Sequence, residues 1–376
     1  MSITKFRFDA ELAEKFIDFG YKHYRNDKRW ISPLRADLRA LLAPEFSFYV
    51  TDGNYHRHFL ARSGDRIVGR ATATVNPELK DRDGTPVGAI GFFESAEVYG
   101  VAEALLDAAV DFLHREHHLN RIWGPMNFDI WHGYRFMTRG FDQEPFYGEP
   151  YNKPYYPDFF QRYGFTVKDE WDSLIVTGQD RIKNMIVRGE KRYRMLLDRG
   201  YRFEPINMDN WSQEMKKLHQ VMTASFAGFL GCTPLSVEEL RRMMASSRYA
   251  IDPDLFLFIY NENNDLAGFA AAFLELGDAV RAMNGDSGLL AKLRFLQKRR
   301  KADKMNFYIG GATPEELARR SGIGRAGFYA IINGVIEKGY ETLMLTLRLK
   351  GNSAHGLAAK SETEPQREYA LYELQL

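Results

Sequence analysis

The apolar residues of this chain run through the same order of elements twice, and that recurrence constrains the fold more than any single motif does. In the first half, strand-like runs occur at Thr4 to Phe8, His58 to Ala61, Ile67 to Val75, Val87 to Phe93, Arg121 to Gly124 and Phe165 to Val176. Helical spacing predicts helices over Glu11 to Tyr24, Pro33 to Leu42, Val101 to His114 and Pro154 to Tyr163, the last stopped by Gly164. The second half predicts strands at Tyr201 to Ile206, Leu255 to Tyr260, Leu266 to Leu274, Met305 to Ile309 and Thr342 to Leu347. Its helices are expected at Trp211 to Phe226, Ser236 to Met244 and Arg325 to Lys338. Each half therefore reads β-α-α-β-β-β-α-β, followed by a variable end. Residues 277–304 are an insertion without a counterpart, holding a basic amphipathic helix from Leu289 to Arg300. No residue-level repeat accompanies this order, so a duplication is inferred from the order alone.

The expectation is a mixed-sheet α/β (α+β) architecture of two tandem domains, residues 1–178 and 201–376, joined by a helical linker at 179–200. Either half is long enough to bury its own core. The linker carries many charges, and a solvated connecting helix is expected there.

Charge and cysteine content narrow the function. Lys and Arg total 51 against 50 Asp and Glu, so no global field draws the chain to nucleic acid or a membrane. The single cysteine, Cys232, excludes an intramolecular disulfide framework and a multi-cysteine metal site, and a packed thiol is expected. The histidines show no metal-ligand spacing, and no metal is expected; His132 and His355 lie beside the stretches discussed below. The N-terminus lacks the continuous apolar core of a signal peptide, and no run approaches the ~18 apolar residues of a membrane span. The cytoplasm is the expected compartment, with no membrane partner.

The motif with the clearest chemistry is Arg319-Arg320-Ser321-Gly322-Ile323-Gly324-Arg325. It follows a predicted strand and opens a predicted helix. Glycines let a backbone approach a phosphate closely, and the free amides of a helix N-terminus hold its charge. Three arginines add to that field.

At these residues the chain resembles the GNAT acetyltransferase superfamily, whose signature is Arg/Gln-x-x-Gly-x-Gly/Ala between a strand and a helix. Arg319, Gly322 and Gly324 occupy the signature positions. The resemblance implies an acyl-CoA co-substrate whose pyrophosphate meets Arg319, Arg320, Gly322, Ile323, Gly324 and Arg325. It implies a pantetheine arm paired with a splayed strand that includes Ile309 and Gly310. Asn352 resembles the family's asparagine after the fifth strand. The connection Gly311 to Ala318 is longer than the family's usual one.

The first half resembles a bacterial branch of tandem GNAT-like proteins. The stretches that carry this are Gly91-Phe92-Phe93-Glu94, Gly124-Pro125-Met126-Asn127, Gly140-Phe141-Asp142, Pro150-Tyr151-Asn152 and Tyr155-Tyr156. This half lacks the phosphate loop, since Glu94 to Gly100 is acidic where glycines and an arginine are needed. Residues 128–165 hold 14 aromatics in 38 positions, a density suited to a pocket wall or a domain seal. Asn127, Trp131, Tyr151 and Tyr155 are the expected pocket residues.

Acyl transfer to an amine needs a base for the amine, donors for the oxyanion and a proton for the thiolate. The resemblance implies a carboxylate near the end of the splayed strand, but Met305 to Gly311 contains none. Glu94 ends the corresponding strand of the first half, and Tyr369 is the candidate acid. The function expected is acyl transfer from coenzyme A to a small-molecule or amino-acid-like amine. Two alternatives stay open: an aminoacyl-tRNA-dependent transferase, which the basic run from Lys292 to Lys301 would serve, and a non-catalytic scaffold.

Overall fold

The computed structural model describes residues 1–351 and 366–376. The first half comprises β1 (Ser2–Phe6), α1 (Ala10–Tyr24), α2 (Arg35–Leu42), α3 (Ser47–Val50), β2 (Tyr55–Ser63), β3 (Arg66–Lys80) and β4 (Pro86–Ser95). It continues with α4 (Tyr99–Asp111), β5 (Arg121–Gly124), β6 (Phe136–Arg139), α5 (Tyr156–Tyr163) and β7 (Thr166–Thr177). Helix α6 (Gln179–Asp198) leads to β8 (Arg202–Pro205), α7 (Trp211–Phe226), α8 (Val237–Ser247), β9 (Ile251–Tyr260) and β10 (Leu266–Leu274). The insertion forms α9 (Gly277–Arg281) and α10 (Leu289–Arg299). The chain then runs through β11 (Lys304–Ala312), α11 (Pro314–Ala318), α12 (Ile323–Glu337), β12 (Thr342–Leu349) and β13 (Arg367–Gln375).

Local chemistry accounts for many of the boundaries. Asp9 caps α1 by accepting the Leu12 amide at 2.8 Å. Gly164 ends α5 with a φ of 118°, a conformation other residues rarely adopt. The long connection before α12 contains α11, begun by Pro314, which accounts for its unusual length.

The halves do not keep separate sheets. One continuous sheet runs in the order β1-β2-β3-β4-β5-β13-β7-β12-β11-β10-β9-β8, with β6 added beside β13. The two tandem domains expected at 1–178 and 201–376 thus share one sheet across their boundary instead of each holding its own. The last strand of the first half, β7, lies against the second half's β12, with Leu343 opposite Val176. The last strand of the second half, β13, lies against the first half's β5, with Leu374 opposite Ile122. β7 and β13 pair with each other in the middle. The physical reason is edge satisfaction: β5 and β12 would each expose a row of unpaired backbone groups, and each is covered by the other half's last strand.

The sheet order is palindromic, so the two parallel pairs, β4/β5 and β11/β12, occupy equivalent places. Each pair is linked through a helix, α4 or α12. The linker helix is also corrected. One face of α6 buries Ile182, Ile186, Gly189 and Leu196. It crosses α12 closely, since a Cβ on Gly189 would sit 2.8 Å from Tyr329. Burying each large aliphatic side chain contributes about 1.5–3 kcal/mol, which a solvated helix would forgo.

Candidate active site

The split between β11 and β12 is the centre of the candidate site. Their parallel ladder runs from Lys304 opposite Thr342 to Phe307 opposite Leu345 and stops there. β11 continues to Ala312, still paired with β10, and bulges at Tyr308, since Ala271 faces Ile309 while Ala272 faces Phe307. Among the described residues, no strand pairs with Ile309 and Gly310 on the β12 side. At the base of the split, Thr346 Oγ1 donates to Asn306 Oδ1 at 2.8 Å, both side chains buried.

The loop beyond β11 opens α12 through Gly322, whose φ is +81°. The amides of Arg325 and Ala326 turn back to the Gly322 carbonyl. Of the two that precede them at the helix start, where a helix has no acceptor of its own, the Ile323 amide donates to Ser321 Oγ at 3.4 Å. A Cβ on Gly324 would meet nothing within 4 Å, whereas one on Gly322 would lie 2.8 Å from the Arg192 side chain.

Arg319 is half exposed and lies 3.5 Å from Glu316 and 3.7 Å from Glu262, so two carboxylates share its charge. Arg320 and Arg325 are exposed. The cation packed against the glycine turn is Arg192 of α6, absent from the sequence-derived set because α6 was expected to be solvated. The signal that could have found it is Gly189, a helix-interior glycine that marks a close crossing. Asn352 and His355 lie outside the described residues.

The equivalent split in the first half is filled by the chain itself. The β4/β5 ladder has two pairs, Gly88 with Ile122 and Ala89 with Trp123. Beyond them the Met126 amide donates to the Ile90 carbonyl at 2.8 Å. The Phe92 amide donates to Asn127 Oδ1 at 2.6 Å. A Cβ on Gly91 would lie 2.3 Å from the Met126 carbonyl oxygen. Asn127, expected in a pocket wall, is thus placed as a plug.

Glu94 is gathered into a buried cluster of the first half. Tyr24 and Tyr156 donate to its Oε2 at 2.9 and 2.7 Å, and Arg70 lies 3.7 Å from Oε1. Burial pushes its carboxyl above the usual range, against the pull of Arg70 and the two hydroxyls. The Tyr156 hydroxyl also meets His23 Nε2 at 2.9 Å. Burial, aided by the charges of Lys153 and Arg70, lowers His23 to about 4, so its ring is neutral at pH 7. Tyr155 donates to the Ser95 carbonyl at 2.9 Å, and Tyr151 to Asp27 at 3.0 Å. These tyrosines therefore border the Glu94 cluster.

A second buried carboxylate belongs to a segment that reaches the bulged strand. The Glu149 side chain and Tyr369 are fully buried; the tyrosine hydroxyl donates to Glu149, and Arg367 Nε is 3.2 Å from the same carboxylate. Burial raises Glu149 to about 8, despite Arg367 and Tyr369. Its neighbour Gly148 faces the bulged strand, where a Cβ would be 3.9 Å from the Tyr308 hydroxyl. Glu149 immediately precedes the Pro150-Tyr151-Asn152 stretch, yet the approach of its neighbour Gly148 to Tyr308 spans 160 positions of chain and has no local signal.

The aromatic-rich segment also joins the halves elsewhere. Trp131 Nε1 donates to the Thr233 carbonyl at 3.0 Å. His132 bridges Asp129 at 2.8 Å and Glu239 of the second half at 3.3 Å. Ser47 and Thr233 donate to these carboxylates, each at 2.8 Å. Burial opposes the charged ring, but the two carboxylates prevail and raise His132 to about 9. Cys232 is pushed up to about 11 by burial and Asp129, which leaves a protonated thiol rather than a nucleophile.

Comparison with known proteins now bears on this geometry. No family model matches the chain. It is 22% identical over 366 residues to Protein YghO of Escherichia coli strain K12, covering 96% of this chain and 92% of that protein. It is 22% identical over 286 residues to a bacterial ceramide synthase of Caulobacter vibrioides, covering 76% of this chain and 73% of that protein. Among solved structures, it is similar to a tandem GNAT protein from the clavulanic acid biosynthesis pathway. The TM-score is 0.54 at 14% identity, over 100% of this chain and 98% of that one. The chain has the tandem fold of the GNAT acyltransferases.

Proposed function

We propose that the chain is an acyl-CoA-dependent N-acyltransferase that works in its second half. The observation that carries this is the open split between β11 and β12, which leads toward the glycine turn at the head of α12. The β11 backbone at Ile309 and Gly310 would pair with a pantetheine arm. The α12 amides, with Arg192, Arg320 and Arg325, would hold the pyrophosphate. In the first half Asn127 and Met126 already occupy the equivalent backbone groups, which argues against a second acyl-CoA there.

Glu149 and Tyr369 are the proton-handling pair in this reading. The amine nitrogen attacks the thioester carbonyl carbon and its proton passes to Glu149. The C–S bond then breaks, and the departing sulfur takes a proton from Tyr369, which Glu149 restores. A second reading places the base at Glu94, whose two tyrosine donors make a similar pair. For the acceptor, similarity to a protein named as a ceramide synthase favours a long-chain amino alcohol, because a ceramide is an amide of one.

Calorimetry with acetyl-CoA and palmitoyl-CoA tests the site. Wild type should bind at least one of them, and Gly324→Val neither, because its side chain would fill the space the phosphate needs. Equal binding by both proteins would place the ligand elsewhere. No binding by wild type would leave the loop a plain helix start.

A further inference from the structure

We propose that α10 is a surface-docking helix for an anionic membrane. The inference concerns where the protein sits and does not depend on which acceptor it uses. It revises the expectation of no membrane partner, which rested on the balanced net charge and the absence of a long apolar run. Among the described residues no helix is long and apolar enough to cross a bilayer, but a helix can lie in the headgroup layer without crossing it.

The helix is held to the protein by one narrow face. Ala291 is buried and Phe295 packs on the small cluster of Ala250, Leu276, Ala279 and Val280. Arg299 Nε donates to the Tyr249 carbonyl at 2.8 Å. The opposite face carries Leu289, Leu293 and Leu296, spaced four and three residues apart, with Leu290 at its edge. Their exposures are 75%, 54%, 49% and 69%. Four exposed leucines on one helix are not a scatter of single surface residues; they form a stripe. Tyr249, at the anchoring bond, is itself 61% exposed, and such a ring is suited to a headgroup layer.

Charge identifies the occupant. The chain as a whole is balanced at +1, yet residues 289–301 contain six basic side chains and no acidic one. By helical periodicity, Lys292 lies on one side of the leucine stripe, and Arg294 and Lys301 on the other. An apolar stripe flanked by cations is complementary to acyl chains beneath anionic headgroups. A nucleic acid would use the cations and leave the leucines in water. A second copy of the chain would set the same cations against each other. A short connection after α10 leads into β11, so docking would hold the split strand near the lipid surface.

The test is vesicle flotation of the full chain. One vesicle set is phosphatidylcholine alone, the other equal parts phosphatidylcholine and phosphatidylglycerol. Wild type should float with the anionic set, weakly with the neutral one, and less as salt rises. Two triple variants are compared: L289S/L293S/L296S and K292E/R294E/K301E. All six side chains are exposed, and thermal melting should match wild type. Each variant should lower the partition coefficient on anionic vesicles by on the order of tenfold or more. Three results would overturn the proposal. Wild type fails to float with either set. The leucine variant floats like wild type. Or sedimentation shows that the leucine variant converts a dimer to a monomer while vesicle binding is absent.

Discussion

Asn127 Oδ1 accepts the Phe92 amide at 2.6 Å, and by that bond the first half closes the split that the second half leaves open. Phe92 sits at a φ of 48°, the bulge of β4, so its amide leaves the regular ladder and needs a partner from outside the sheet. Asn127→Ala removes that partner and leaves a poorly solvated donor. Urea unfolding should show a loss of about 1–3 kcal/mol. Acyl-CoA affinity should not change, because the proposed site is in the other half. A fall in affinity without a fall in stability would contradict this division of roles.

Gly91 provides an independent check of the same plug. A Cβ there would lie 2.3 Å from backbone oxygen, which cannot yield as a flexible side-chain tip would. Gly91→Ala should destabilise by about 1–3 kcal/mol or more. Gly100, in the first turn of α4, has open space around its Cβ position. Gly100→Ala should be neutral or gain about 0.4–1 kcal/mol. The two variants compared in one urea titration separate a packing effect from a general intolerance of substitution.

The two glycines of the α12 turn should also behave differently. Gly322 has a φ of +81° and presses on Arg192, so Gly322→Ala should cost about 1–3 kcal/mol in stability. Gly324 has neither constraint, so Gly324→Ala should melt like wild type. Any loss of acyl-CoA binding by a larger side chain at 324 is then a direct effect on the ligand. Equal destabilisation by both alanines would remove the structural basis for that test.

His132 predicts a pH dependence of stability. Its folded value of about 9 lies above the ordinary 6.5, so the protonated ring is favoured by folding. The stabilisation is fully present below about 6.5 and is lost as pH rises through about 9. The separation of the two values corresponds to something on the order of 3 kcal/mol. Urea midpoints measured from pH 6 to 10 should fall for wild type, and His132→Gln should flatten that part of the curve. An unchanged slope in the variant would assign the dependence to other groups.

The choice between the two candidate bases is a matter of pH–rate profiles. Glu149 is raised to about 8, so kcat/KM should climb as pH approaches that value and level off above it. Glu149→Gln should lose about 10²-fold or more in kcat and abolish the climb, while acyl-CoA binding persists in calorimetry. Glu94→Gln should keep the profile. If the two variants exchange these behaviours, the base is Glu94.

The sequence by itself determined the elements and their order. Helices such as α1 and α5, and the hairpins β2–β3 and β9–β10, are written in short-range apolar periodicity and in residues such as Asp9 and Gly164, which act within a turn or two. The glycine turn at 322–324 was legible for the same reason, since a tight loop before a helix needs those residues locally. What tertiary structure decided is how the halves combine. The exchange of β7 and β13 depends on which sheet edges need partners, and an edge has no sequence signature of its own. The plug at Asn127, the Arg192 contact with Gly322 and the placing of Gly148 beside Tyr308 all follow from that assembly. Each joins residues tens to hundreds of positions apart, where periodicity carries no information and only packing chooses the partner.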